Sequence, residues 1–319
     1  VKEGTDMTSL APIFELTPGA TISPASGSVQ NFTTPVRYTV TSEDKAWHRV
    51  YAITAREQKA SNIPTTYHFE KVRIMQNVWQ EFYEEQDSGN ELTWASGNKG
   101  FKWAMSEAAT EDYPTTQIDN GKTGKCVKLE TRLTGDLGNM VGMPIAAGNL
   151  FIGSFDMLNA ITNPLSATRF GTPFYNKPLR LTGYYKYKAG EQFYENGEYT
   201  SRKDIFNIYA IFYDGVKYDS AGKGTDVTLD GNLPNQNYEH SSMVALALVS
   251  NPQETEGDEW KFFDIPFDYQ RYGKKIDEAR LAKGEYKIGI IFASSKDGAT
   301  FEGAPGSTLL IDEVELIYE

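Results

Sequence analysis

Phe301-Glu302-Gly303-Ala304-Pro305-Gly306-Ser307-Thr308-Leu309-Leu310-Ile311-Asp312-Glu313-Val314-Glu315-Leu316-Ile317-Tyr318-Glu319 closes the chain and decides how the rest is read. A loop of small residues, held by Gly303, Pro305 and Gly306, runs into a β-branched, apolar segment. Successive strand side chains point to opposite faces. A regular strand therefore puts Leu310, Asp312, Val314, Leu316 and Tyr318 on one face, and Leu309, Ile311, Glu313, Glu315 and Ile317 on the other. The first face is the more apolar, so it is expected to meet the core, with Asp312 near its start. A carboxylate aimed at a core needs donors or a cation. Two partners suit it: the backbone N–H groups of a loop, or a calcium ion, whose hard charge matches an all-oxygen site.

Working outward, the 319 residues suggest two domains. Hydrophobic residues at 39% and aromatics at 13% support a sizeable core and exclude global disorder. Tyr and Phe are abundant, with Thr, Val and Ile between Gly and Asn/Asp turns, a balance that favours strands. The net charge of −12, with no dense basic run, argues against nucleic acid as a partner. Cys126 is the single cysteine, so no intrachain disulfide can form. His48, His68 and His240 lie far apart and carry no zinc-site spacing. No apolar run reaches the roughly 18 residues that span a bilayer. The chain opens on Val1 rather than Met, which suggests an export leader trimmed from a precursor.

Residues 1–65 read as a small β-domain: Val36–Val40 and Arg49–Thr54 alternate cleanly between Gly/Pro turns, a pattern that predicts an immunoglobulin-like sandwich. Residues 66–319 carry the candidate chemistry. Trp94-Ala95-Ser96-Gly97-Asn98-Lys99-Gly100-Phe101-Lys102-Trp103 sets aromatics in a Gly/Asn-rich stretch, either pinned into a core or shown to a flat ligand. Lys125–Leu133 alternates, with Val127, Leu129, Thr131 and Leu133 opposite Cys126, Lys128, Glu130 and Arg132. The polar row is either a solvated, self-paired sheet face or the lining of a concave groove. In Gly183-Tyr184-Tyr185-Lys186-Tyr187-Lys188, Tyr185 and Tyr187 share one face and Tyr184 and Lys186 the other. Six further runs, 150–155, 179–187, 205–213, 243–249, 260–267 and 286–293, read as strands, most of them apolar on both faces.

Two resemblances fit these segments. Gly4–Pro12, Pro18–Pro24 and Val36–Asp44 are similar to the Ig-like modules on surface proteins of Bacteroidetes. Phe69-Glu70, Trp94–Asn98, Gly183–Tyr187, Phe292–Gly303 and Gly306–Val314 together resemble the putative carbohydrate metabolism domain of Bacteroidetes, over roughly residues 66–319. The second resemblance implies a larger β-jelly-roll sandwich behind the small domain, an exported lipoprotein of the outer-membrane surface or periplasm, and a role in polysaccharide utilisation. It implies no catalytic residue. Membrane contact would come through a lipid anchor on the removed segment, and protein partners from a glycan-uptake system. Glu70 and Asp312 are also similar to the carboxylates that share one calcium in carbohydrate-binding jelly rolls.

Three functions follow. A carbohydrate-binding protein would stack an oligo- or polysaccharide on Trp94, Trp103, Tyr185 and Tyr187, and orient it through Asn98, Lys128, Glu130, Arg169, Lys186 and Asp214. A glycoside hydrolase would need a carboxylate pair in the same pocket; Glu130 and Asp214 are the candidates, with no Glu-x-Asp-x-Glu strand motif to support them. An adhesin-like structural surface protein would instead show an exposed apolar patch away from any groove.

Overall fold

The closing strand runs Thr308–Tyr318 along the middle of an antiparallel sheet, and it is not regular. Leu309, Ile311, Val314 and Leu316 are all buried in the same core, although Ile311 and Val314 are three apart. A β-bulge explains the change of phase. Opposite it, Thr182 pairs with Glu315 and Tyr184 with Asp312, so this strand carries one residue more than its neighbour. Glu313 takes the extra turn with φ 48°. Gly183 faces the bulge, where an added Cβ would lie 2.7 Å from the Phe263 ring and 2.8 Å from Val314. The expected single face is thereby corrected: Asp312 shares the outer face with Tyr184, and the apolar residues on either side of the bulge share the core.

The computed structural model describes residues 1, 4–55, 60–86 and 89–319. The fold is all-β, with short helices confined to connections. It divides into two compact units, residues 1–60 and 61–318. In the smaller one, Val36–Thr41 pairs with Thr21–Ser23 and with His48–Ile53. Phe14 and Phe32 cover Tyr38, at ring separations of 4.7 and 6.5 Å, and make the second layer.

The larger unit is a sandwich of two open antiparallel sheets. The first orders Lys261–Pro266, Pro178–Lys188, Thr308–Tyr318, Cys126–Glu130 and Thr115–Ile118, with Thr66–Tyr67 added to the closing strand. The second orders Asn149–Phe151, Tyr286–Ala293, Asn207–Asp214 and Met243–Leu248, with Thr172–Pro173 beside Tyr286–Ala293. One face of each meets in a single core containing Val127, Leu129, Leu181, Ile208, Ala210, Phe212, Ile288 and Ile290. Burying each such side chain contributes about 1.5–3 kcal/mol over leaving it in water.

The second sheet is apolar on its outer face too. Phe151, Tyr209, Ile211, Tyr213 and Ile291 point there and form a second core under Phe170, Leu229, Leu233 and Tyr238. Strands covered on both faces lose the hydrophobic–polar alternation, which is why these runs read as continuous apolar segments. That cover is made of loops, short strands and short helices, and it is incomplete. The gap left beneath it is the cavity described next.

Candidate functional site

Three short helices roof the outer face of the second sheet: α1 (Asn98–Ala104), α2 (Gly135–Met140) and α3 (Met157–Thr162). α1 is tied down by two asparagines. Asn149 accepts a hydrogen bond from the Gly97 N–H at 2.8 Å, and Asn98 grips Thr115, donating to its carbonyl at 2.7 Å and accepting from its N–H at 3.1 Å. Phe101 then packs inward on Tyr113, ring centres 5.4 Å apart. Trp103, two residues on, is left 38% exposed. α3 starts at Asp156, whose carboxylate caps Leu158 N and Asn159 N at 3.0 and 3.3 Å.

Between these helices and the sheet lies a cavity of about 170 Å³. Phe101, Phe151, Phe155, Met157, Phe170 and Ile291 give it an apolar wall, and Trp103, Val141, Ile161 and Lys296 are lining residues that also reach solvent. Asn149, Asn207, Thr134 and Ser295 are among its polar lining residues, and none of the described residues lining it is Asp or Glu. A separate, shallower groove shares Phe101 and Ala104 with the cavity and gathers Glu107, Asp112, Glu130 and Arg132. The carboxylates thus line the groove, and the larger set of rings lines the cavity.

Of the residues expected to hold a ligand, Trp103 alone lines the cavity. Trp94, 1% exposed, is corrected to a core residue: its ring lies 5.0 Å from Tyr67, 5.7 Å from Phe69 and 5.9 Å from Phe292. Tyr185 and Tyr187 are likewise buried, 4.7 and 4.9 Å from Phe206, because their strand face is the one that meets the second sheet. Asn98 is fully buried and spends its amide on Thr115. Thr168 and Phe170 line the cavity, so Arg169 between them points away from it and is exposed.

The remaining polar candidates are taken up elsewhere. Lys128 and Arg132 both reach Glu130, at 3.0 and 3.1 Å, so the polar row on this strand is self-paired. Lys186 pairs with Asp258 and lies 4.9 Å from the Trp260 ring centre. Asp214 is held by both arms of the Arg280 guanidinium at 2.8 and 2.6 Å, and Glu285 accepts from Nε of the same arginine at 2.6 Å. A two-armed fork of this kind occupies both oxygens of the carboxylate and holds it in place, which suits a structural pair.

Glu70 and Asp312 converge on the turn before Cys126, but as acceptors. Lys125 N–H donates to Glu70 at 2.8 Å, Thr123 N–H to Asp312 at 3.0 Å, and Glu313 N–H to Asp312 at 2.9 Å. The turn comes so close that a Cβ on Gly124, φ 60°, would lie 2.1 Å from the Glu70 carboxylate. This donor set does not fit calcium. Amide hydrogens occupy oxygens that an ion would need, and no group of three or more His, Cys, Asp or Glu side chains suited to a metal occurs among the described residues. Burial pushes the Asp312 carboxyl up to about 6 against the pull of those N–H groups. Burial, with Asp312 and Glu70 nearby, pushes the Cys126 thiol up to about 12, so it stays protonated and unreactive.

With the geometry established, comparison with known proteins identifies the chain's relatives. The profile of the putative carbohydrate metabolism domain, PCMD, matches residues 68–317. The chain belongs to this family. Residues 1–55 match the N-terminal domain of SGBP proteins. A crystal structure from Bacteroides vulgatus, described as a putative glycoside hydrolase, is 50% identical over 82% of this chain and all of its own, with a TM-score of 0.75. A second, from Bacteroides thetaiotaomicron and described in the same words, is 46% identical over all of this chain and 89% of its own, with a TM-score of 0.72. No curated protein matches. These findings tie the chain to carbohydrate handling.

The PCMD unit builds its cavity from residues that the sequence reading passed over. Phe155, Asn207 and Tyr209 belong to runs read as strands and Met157 to a stretch given no role, with nothing in their spacing to mark a lining. The one available signal was Asn207 at the head of a continuous apolar strand, a polar group where burial was expected.

Proposed function

We propose that the PCMD unit binds a glycan at the mouth of the cavity and leaves it uncut. Trp103 supplies a flat ring on which a sugar face can stack, and the exposed Lys296 supplies a donor at the same mouth. The observation that carries this reading is the separation of rings from acids. Hydrolysis needs two carboxyl groups about 5–5.5 Å or about 6.5–9.5 Å apart across the scissile bond. Among the described residues the cavity lining has none, while Glu130 and Asp214 are engaged by cations elsewhere. The SGBP-like first domain and the Bacteroides relatives support a role at the cell surface or in the periplasm, within a glycan-uptake system.

Hydrolysis is the second reading. The carboxylate-lined groove beside the cavity, with Glu107, Asp112 and Glu130, favours it. One experiment separates the two: a polysaccharide panel scored both for binding, by affinity electrophoresis, and for release of reducing ends. Binding without release, weakened at least tenfold by Trp103→Ala with the fold intact, is expected. Release of reducing ends that disappears in Glu130→Gln would replace binding with hydrolysis.

A further inference from the structure

The cavity behind Trp103 is chemically unlike a bare sugar. Its inner wall is carried by Phe151, Phe155, Met157, Phe170 and Ile291. Four of its polar side chains are already engaged: Asn149 accepts from Gly97 and donates to the Ala147 carbonyl at 3.2 Å, Asn207 donates to the Tyr238 hydroxyl at 2.9 Å, and Ser295 donates to Asp204 at 2.6 Å. Thr134 donates to the Met143 carbonyl. A saccharide pushed inside would strip its many hydroxyls of water and meet few partners there beyond Thr168 and Tyr209, and each unmatched buried hydroxyl is costly. An apolar group meets no such penalty.

Size narrows the choice. The space is about 170 Å³, and an apolar protein cavity of about 150 Å³ holds one benzene molecule. A long acyl chain would not fit, whereas one aromatic ring would, with the edges and faces of Phe151, Phe155 and Phe170 available to it. The mouth continues the apolar character through Val141 and Ile161. We infer that the chamber receives a single aromatic substituent carried by the glycan, while the sugar itself rests outside against Trp103. The inference builds on the glycan-binding reading and assigns the feature by which the site selects among glycans.

The test compares matched ligands on the full chain by calorimetry: methyl and benzyl β-glycosides of glucose, galactose, mannose and xylose, with benzyl alcohol as the ring alone. The benzyl form is expected to bind at least tenfold more tightly than its methyl counterpart. Ala160→Trp, which fills the chamber from α3, should shrink that advantage below twofold and leave methyl glycoside binding unchanged. Should that variant fail to fold, intermolecular NOEs from the benzyl ring to Met157 and Ile161 methyls in the wild type give the same answer. Equal binding of methyl and benzyl forms overturns the inference and leaves glycan binding standing. Benzyl alcohol bound in the chamber, with no contribution from any sugar, upholds the ring site and removes the glycan reading. Silence from every benzyl ligand, with no NOE, overturns the inference outright.

Discussion

The two faces of the second sheet carry nearly the same residues and do different things. On the inner face Ile208, Ala210 and Phe212 meet another complete sheet, and rings such as Trp94, Tyr185 and Tyr187 are closed in around them. On the outer face Tyr209, Ile211 and Tyr213 meet loops and short helices, and the mismatch leaves a chamber with Trp103 at its lip. A regular partner can interdigitate along its whole length at crystal-like density; three helices of six or seven residues cannot. An aromatic residue is therefore core or binding surface according to what covers it, and not according to its type.

Exchanging rings between the two settings probes this contrast most strongly. Trp94→Ala, in the closed setting, should cost about 3–5 kcal/mol, read as a lower urea midpoint at unchanged slope. Trp103→Ala, at the lip, should cost clearly less in the same assay, about 1–3 kcal/mol, because a ring 38% exposed forfeits a smaller buried area and leaves no closed void. If the two variants unfold alike, Trp103 is a core residue and the contrast fails.

The bulge at Asp312 sharpens the comparison, because it places a titratable group under a turn on the first sheet. Its carboxyl titrates near 6 in the folded chain against an ordinary value of 3.8. A raised acid favours the folded state while protonated. Its contribution is therefore greatest below about pH 4, falls as pH rises through about 6, and is constant above that. Asp312→Asn should flatten this segment of the stability–pH curve, followed by thermal melts between pH 4 and 7. An unchanged curve would mean that the carboxylate is already ionised across the window.

Two smaller effects complete the series. Glu130→Gln should lower stability by about 1–2 kcal/mol, since a mostly covered carboxylate shared by Lys128 and Arg132 is replaced by a neutral amide, and glycan binding should not move. EDTA should leave the melting temperature where it is, because backbone N–H groups hold Glu70 and Asp312. A fall in melting temperature reversed by calcium would show that the turn binds the ion after all.

Much of the scaffold was legible in the residues. Strands were marked by β-branched and aromatic runs between Gly/Pro turns, and the two-sided burial of the second sheet by apolar residues at consecutive positions in Asn207–Asp214 and Tyr286–Ala293. The site was less so. Nothing in the spacing of Trp94 and Trp103 says which is enclosed, since the difference arises when Asn98 and Asn149 anchor α1 to strands distant in sequence. The sequence leaves Asp312 to either loop N–H groups or calcium and reads Glu70 only by its resemblance to calcium-binding carboxylates; the folded turn aims N–H groups at both.

Local sequence alone determined that the chain is all-β and where most of its long strands run, because side-chain periodicity and turn residues act over a few positions. Tertiary structure decided the rest. It set the phase of the closing strand through one inserted residue opposite Gly183, chose which rings were covered, and parted the carboxylates from the cavity, because each of these depends on contacts between segments dozens to hundreds of residues apart.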